Sequence, residues 1–291
     1  MRYKVHHVSK IAYAAPVARA RLNLRLSPRL QSGQTLIQEA LTLWPAPASK
    51  SEQLGPYWVK TVQVGFAEPL KKLEVTSEFV INLAAPSPPE TGPSLSRVRA
   101  EALGVNDLCD LSPAPYLFAS RIATMSPFVS AWSAVHLSSS GSCVINAVSA
   151  LMAALHGEFT YAPGKTNSRT PPEDAFAARH GVCQDFTHIL IMALRAHGIP
   201  AAYVSGYLLT RPPPGKAKLV GADAMHAWVN VWCGEDLGWV GFDPTNNRLA
   251  DEAHIAIAMG RDYADISPID GTFIGGAPQS MSSAVDVELV E

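Results

Sequence analysis

The sequence predicts an α+β fold: an N-terminal antiparallel β region, then helices, then a second run of strands. Three observations carry this. The first 90 residues alternate apolar with polar side chains, the mark of half-buried strands. Past a proline-rich segment the apolar residues recur at helical spacing. The later strands follow the helices instead of alternating with them, which argues for segregated layers and against a doubly wound parallel sheet.

The β region is read from several runs. Lys72 to Leu83 places Leu73, Val75, Phe79, Ile81 and Leu83 on one side. Trp58 to Phe66 alternates as well, with Thr35 to Trp44 and Arg21 to Leu26 as partners. Ile11 to Ala18 is short, holds a proline and is flanked by Arg19 and Arg21, so it is expected to be strand and loop, not a signal peptide. Ala84 to Pro93, with Pro86, Pro88, Pro89 and Pro93, reads as a linker.

Helices follow. Val144, Ala147, Val148, Leu151, Met152 and Leu155 form a stripe, with Ser142 expected as its cap and Gly157 as its end. Thr170, Pro171, Pro172 and Glu173 suggest a capping box and a short helix ending near Gly181. The next helix should begin at Cys183, bury Phe186, Ile189, Leu190, Ala193, Leu194 and His197, and stop at Gly198 and Pro200. Strands are expected at Ala201 to Leu209, His226 to Cys233 and Trp239 to Phe242.

Composition narrows the function. At 291 residues, 47% hydrophobic and 16% charged, the chain can bury a substantial core. A net charge of -2 offers no field for nucleic acid, and no basic run suggests a membrane surface. No apolar run is long enough to span a bilayer. Cys109, Cys143, Cys183 and Cys233 are widely spaced, which fits free thiols in the cytoplasm. Cys109, Cys143 and Cys233 read as packing residues.

Cys183 stands apart because a helix front favours negative charge and so a thiolate. A two-residue turn at Gly234 and Glu235 would set His226 directly opposite Asp243, with Cβ atoms about 4.5–5.5 Å apart. A longer loop would leave them diagonal neighbours. Thiol, imidazole and carboxylate are the groups of thiol-based acyl transfer. Weaker cleft candidates are Gln184, Asp185, Tyr161, Trp228, Trp239 and Asn246. Trp228 and Trp239 read equally well as core, and Asp185 as a first-turn acid. His180, Cys183, His188 and His226 have spacings that a zinc site could use, but no second cysteine lies near and His180 and Cys183 straddle a glycine turn, so zinc is not expected. No metal and no cofactor is expected.

The runs Gly181-Val182-Cys183-Gln184-Asp185-Phe186, Asp223-Ala224-Met225-His226-Ala227-Trp228, Gly238-Trp239-Val240-Gly241-Phe242-Asp243-Pro244-Thr245-Asn246 and Gly260-Arg261-Asp262-Tyr263-Ala264-Asp265 resemble the bacterial branch of the transglutaminase-like superfamily, which includes candidate cysteine proteases. The resemblance spans essentially the whole chain. It implies a papain/transglutaminase-like core of helices packed on an antiparallel sheet, with Cys183 as nucleophile, His226 as general base then acid, and Asp243 as orienting carboxylate. It divides the chain into a β domain (1–90), a connecting segment (91–124), a catalytic core (125–250) and a C-terminal extension of strand and loop (251–291). One departure is visible: Ala201-Ala202 stands where the family often carries an arginine, which bears on substrate preference. The expected reaction is acyl transfer from a peptide or amide through a thioester, mainly hydrolytic. Transfer to an amine acceptor and a non-catalytic peptide-binding module are the alternatives. Oligomeric state is not legible.

Overall fold

The computed structural model describes residues 1–291 apart from 29–30, 32, 56–58, 85–86, 88, 110, 138–142, 211–222, 277 and 291. Trp58, Pro86, Pro88 and Ser142 therefore lie outside the described residues.

Six strands come first: β1 (Arg2–Val17), β2 (Arg19–Leu24), β3 (Gln34–Trp44), β4 (Ser49–Leu54), β5 (Lys60–Phe66) and β6 (Leu70–Leu83). The alternation in β6 is realised, with Leu73, Val75, Phe79, Ile81 and Leu83 buried. The helices are α1 (Leu95–Gly104), α2 (Pro127–Leu137) and α3 (Val144–Glu158), then α4 (Pro172–Ala178) and α5 (Cys183–Ala196), with the short strands β7 (Thr160–Tyr161) and β8 (His180–Gly181) flanking α4. After α5 come β9 (Ala201–Leu208), β10 (Met225–Trp232), β11 (Trp239–Asp243), β12 (Arg248–Leu249), β13 (His254–Gly260), α6 (Tyr263–Ile266), β14 (Ile269–Ile274) and β15 (Gln279–Leu289).

The strands form three larger antiparallel sheets. One runs β12-β11-β10-β9-β13, and the α5 helix packs on it. The other two, β15-β1-β6-β3 and β14-β2-β5-β4, join N-terminal strands to the last two strands of the chain. Tyr3, Val5, Phe79, Ile81 and Leu83 enter the same hydrophobic cluster as α3, α5 and β10. A buried polar link crosses there too: the His7 ring lies 2.6 Å from the Tyr207 hydroxyl. No helix among the described residues is long and apolar enough to cross a membrane.

Several local expectations are corrected. Gly157 lies inside α3, whose C-cap is Phe159. The helix α4 has no side-chain cap, because the Thr170 hydroxyl accepts from the Asn167 N–H instead. The helix α5 is not an amphipathic stripe but is buried all round from Asp185 to Arg195, enclosed by β9 and β10 and by α2, α3 and α4. His197 is its C-cap and is only partly buried, bonded to Ser133 at 3.0 Å. Cys109 is exposed rather than packed, and all four cysteines are free.

Candidate active site

Two devices set Cys183 at the first position of α5. Arg179 ends α4 in the left-handed conformation, with its guanidinium over Phe159 and Phe176 at 4.7 and 4.6 Å. This turn feeds β8 and then Gly181, where a Cβ would stand 2.6 Å from the Asp185 side chain. Only glycine leaves room there, because the Asp185 carboxylate folds back to accept from the Val182 N–H at 2.8 Å and from the Thr166 hydroxyl at 2.6 Å. Val182 has no polar side chain, so this is the carboxylate half of a capping box. Asp185 is thus a buried anchor of the helix front.

His226 opens β10 and Asp243 closes β11. The hairpin does not close with a two-residue turn. Trp232 pairs with Trp239 and Cys233 N–H bonds to Gly238 C=O, so the register is slipped by two from direct opposition. His226 and Asp243 are diagonal neighbours, as a longer loop requires. They still meet, with His226 Nε2 2.8 Å from Asp243 Oδ2. That leaves Nδ1 for Cys183, whose side chain hydrogen-bonds to the ring.

Asp243 is fully buried and well supplied with donors. Its Oδ1 accepts the N–H groups of Thr245 and Asn246, at 3.0 and 3.2 Å. Its Oδ2 accepts from His226, from Asn246 Nδ2 at 2.7 Å and from His254 Nε2 at 3.2 Å. Burial alone would raise this carboxyl, but the bonds from both histidines and from Asn246 win and hold it well below the usual aspartate range. For His226, burial opposes the charged ring. The bonds and charges of Asp243 and Cys183 outweigh it, pushing the ring up to about 9. The ring is therefore an imidazolium at neutral pH, next to the sulfur.

The remaining candidates separate by position. Tyr161 is paired with Gly181 across β7 and β8 and is about half exposed, and its hydroxyl is raised above the ordinary tyrosine value by partial burial and then by the nearby Cys183. Gln184 is half-buried in the first turn of α5. Trp228 is buried and stacked on His226, with ring centroids 6.2 Å apart. Its indole lies over Gly206, where any Cβ would meet it at 2.6 Å. Trp239 is not beside Cys183; it donates to Leu111 C=O at 2.9 Å and packs edge-on against Tyr116. Ala201 and Ala202 are fully buried, and the Arg195 guanidinium donates to the Ala201 carbonyl at 2.7 Å.

Of the four residues of the zinc alternative, Cys183 and His226 meet, but His180 and His188 are engaged elsewhere. His180 is bonded to Ala178 C=O, while His188 is buried against Tyr203 and accepts from the Tyr263 N–H. A different trio, His226, Asp243 and His254, keeps its ligand-type atoms within 4.8 Å. These atoms are already joined to one another by hydrogen bonds. Sequence reasoning missed His254. The signal was a single polar residue three past Asp251, opening the apolar run Ile255 to Met259. A cavity of about 500 Å³ lies on this side, walled by Trp228, Trp239 and His254 and by Gln34 and Leu83 of the N-terminal region. A larger one, about 1360 Å³, opens between Arg21 of β2 and the Arg169 to Glu173 segment. Neither is lined by Cys183.

The transglutaminase-like superfamily profile matches residues 134–244, and the bacterial transglutaminase-like N-terminal region matches residues 3–82. The chain belongs to the transglutaminase-like superfamily. An uncharacterised protein of Mycobacterium tuberculosis is 33% identical over 300 residues, spanning 99% of this chain and 91% of the relative. A protein-glutamine gamma-glutamyltransferase of Pseudomonas aeruginosa is 32% identical over 141 residues, which is 44% of this chain and 21% of the relative. The crystal structure of a candidate cysteine protease from Cytophaga hutchinsonii has a TM-score of 0.77 at 21% identity, covering 100% of this chain and 91% of that chain. The transglutaminase-like fold, with its helices packed on an antiparallel sheet, agrees with the sequence-based expectation.

Proposed function

We propose that this protein is a cysteine-dependent acyl-transfer enzyme that cleaves an amide or peptide bond through a thioester on Cys183. The observation that carries the reading is the bonded series from the Cys183 thiol through His226 to Asp243 at the front of a buried helix. In this reading the Cys183 sulfur, as thiolate beside the imidazolium, attacks the carbonyl carbon. The N–H groups of Cys183 and Gln184 have no carbonyl one turn earlier within their helix, so they are free to donate to the oxyanion. His226 passes its proton to the departing amine, the C–N bond breaks, and the thioester forms. Asp243 holds the ring orientation throughout. Water, deprotonated by His226, then releases the acid and restores the thiol.

Hydrolysis is the favoured outcome. Amine transfer is the second reading, supported by the likeness to the glutamine gamma-glutamyltransferase over 141 residues. The partners are then a peptide or protein substrate and, in the second reading, an amine acceptor. Four free thiols support a reducing compartment such as the cytoplasm.

The test is mass spectrometry of the protein incubated with a glutamine-containing peptide library, with and without a primary amine. Acyl adducts on Cys183, absent in Cys183→Ala, are expected. Peptide cleaved or deamidated marks hydrolysis, and peptide carrying the amine marks transfer. If Cys183 forms no adduct and is alkylated no faster than an ordinary thiol at pH 6, the enzyme reading fails and a peptide-binding module replaces it.

A further inference from the structure

We propose that His254 is a positioning residue of this site: a second imidazole whose Nε2–H holds the Asp243 carboxylate in its aim at His226. The inference rests on the reading of Cys183, His226 and Asp243 given above and extends it by one group.

The argument is geometric. His254 is 5% exposed, and its Nε2 lies 3.2 Å from the oxygen, Asp243 Oδ2, that also receives His226. An ionised carboxylate only accepts, so Nε2 must carry the proton and donate it. The other side of the ring agrees. His254 Nδ1 stands 3.1 Å from the Asp251 N–H and 2.9 Å from Asp251 Oδ1. The first contact suits a neutral ring and the second an imidazolium, and both keep the proton on Nε2.

Packing fixes the spacing of the two rings. Trp228 stacks on His226 and meets His254 edge-on at 5.3 Å, while the two imidazole centroids are 6.2 Å apart. The surrounding run Ile255 to Met259 is entirely buried and apolar, so a polar ring at its head is not there for packing alone. Its donor helps satisfy a carboxylate with no exposure to water. It also shares the Asp243 charge between two rings, limiting how strongly that charge is spent on His226. The groups facing His226 are Cys183, Asp243 and Asn246, with the His254 ring beyond Asp243. Those facing His254 are Asp243 and Asp251.

The experiment compares the wild-type chain with His254→Phe and His254→Gln. The first keeps a ring without the donor, and the second restores an N–H donor without the ring. The readouts are nitrogen NMR of the His226 ring against pH, and kcat and KM for amide turnover. For His254→Phe, the His226 titration should move to higher pH, and kcat should fall about ten- to a hundredfold with KM nearly unchanged. His254→Gln should recover most of both. Should His254→Phe not fold, His254→Leu, which also removes the donor, takes its place with the same expected rise in the His226 titration. An unmoved titration in the folded variants, or His254→Gln no better than His254→Phe, overturns the proposal. If wild-type Cys183 proves unreactive, the acyl-transfer reading falls, and the NMR titration still decides whether His254 holds Asp243.

Discussion

His226 Nε2 and Asp243 Oδ2 lie 2.8 Å apart although the two residues are not partners in the β10–β11 ladder. Continuing the ladder sets Asp243 against Trp228, so the bond runs diagonally across the ribbon, and Asn246 in the following turn closes on the same oxygen at 2.7 Å. The carboxylate is thereby fixed by its own turn before it meets the ring. Asp243→Asn keeps the shape but lets an amide N–H face His226, which then presents the wrong tautomer to Cys183. Amide turnover should fall by about 10³-fold or more with little change in melting temperature. Asp243→Ala should also destabilise, because two buried imidazole donors lose their acceptor at about 1–3 kcal/mol each. Steady-state kinetics and thermal melting of the pair separate the effects.

The state of His226 gives an upper pH limit. The ring holds its proton to about pH 9 through its bonds to Asp243 and Cys183, against burial. Cleaving an amide needs that proton for the leaving amine, whereas alkylating the sulfur does not. Amide turnover should therefore fall as pH rises through about 9 while iodoacetamide labelling of Cys183 does not. A parallel decline of both, followed side by side across this range, would count against His226 as the acid.

Gly181 tests how much the site depends on its helix front. A Cβ there meets Asp185 at 2.6 Å, so Gly181→Ala must push the carboxylate off the Val182 N–H. The lost cap should lower stability by about 1 kcal/mol. The same shift moves Cys183, one residue beyond Val182, so turnover should fall more steeply than stability, by about tenfold or more. Asp185→Ala should reproduce the stability loss, read from denaturant midpoints.

What the sequence made legible is what depends on short-range chemistry. The start of α5 at Cys183 follows from the Gly181 turn, and the strands β9, β10 and β11 follow from their apolar runs between glycines. The meeting of His226 with Asp243 was legible as a same-face relation, while the exact register was not, because it hangs on the Gly234 to Gly238 loop. His254 was hidden for a different reason. It reaches Asp243 only because β13 pairs with β9 on the far edge of the sheet, a contact between sequence-distant strands. The burial of α5 on every side was likewise set by neighbours that no local period records.

The N-terminal region is bound into the same core. The strands β1 and β2 supply the partners of β15 and β14, and His7 reaches Tyr207 on β9. Removing residues 1–90 would expose Tyr207 and the Val285–Val287 face along with the shared apolar cluster. The truncated chain should therefore not reach a cooperative fold, as judged by the loss of a thermal unfolding transition and of near-ultraviolet dichroism. A truncated chain that melts as sharply as the whole would refute this.

Stability should peak near pH 6.5, because buried groups pull in opposite directions on either side of it. His7 and His188 are each lowered from 6.5 to about 4, mainly by burial. Below 6.5 the unfolded chain binds these protons and the folded chain does not, so stability falls as pH drops toward 4, by roughly 3 kcal/mol for each ring. Below the ordinary aspartate value of 3.8, Asp243 adds a further loss in the same direction. His226 works the other way. Its folded value is raised from 6.5 to about 9, so its contribution is complete below 6.5 and is lost as pH climbs through 9. Burial pushes the Cys233 thiol up to about 12 from 9.0, which extends the decline at still higher pH. Thermal melting from pH 4 to 10 should show a maximum between the two limbs. His226→Gln should flatten the alkaline limb without moving the acid one, and an unchanged alkaline limb in that variant would show that the ring is not the titrating group.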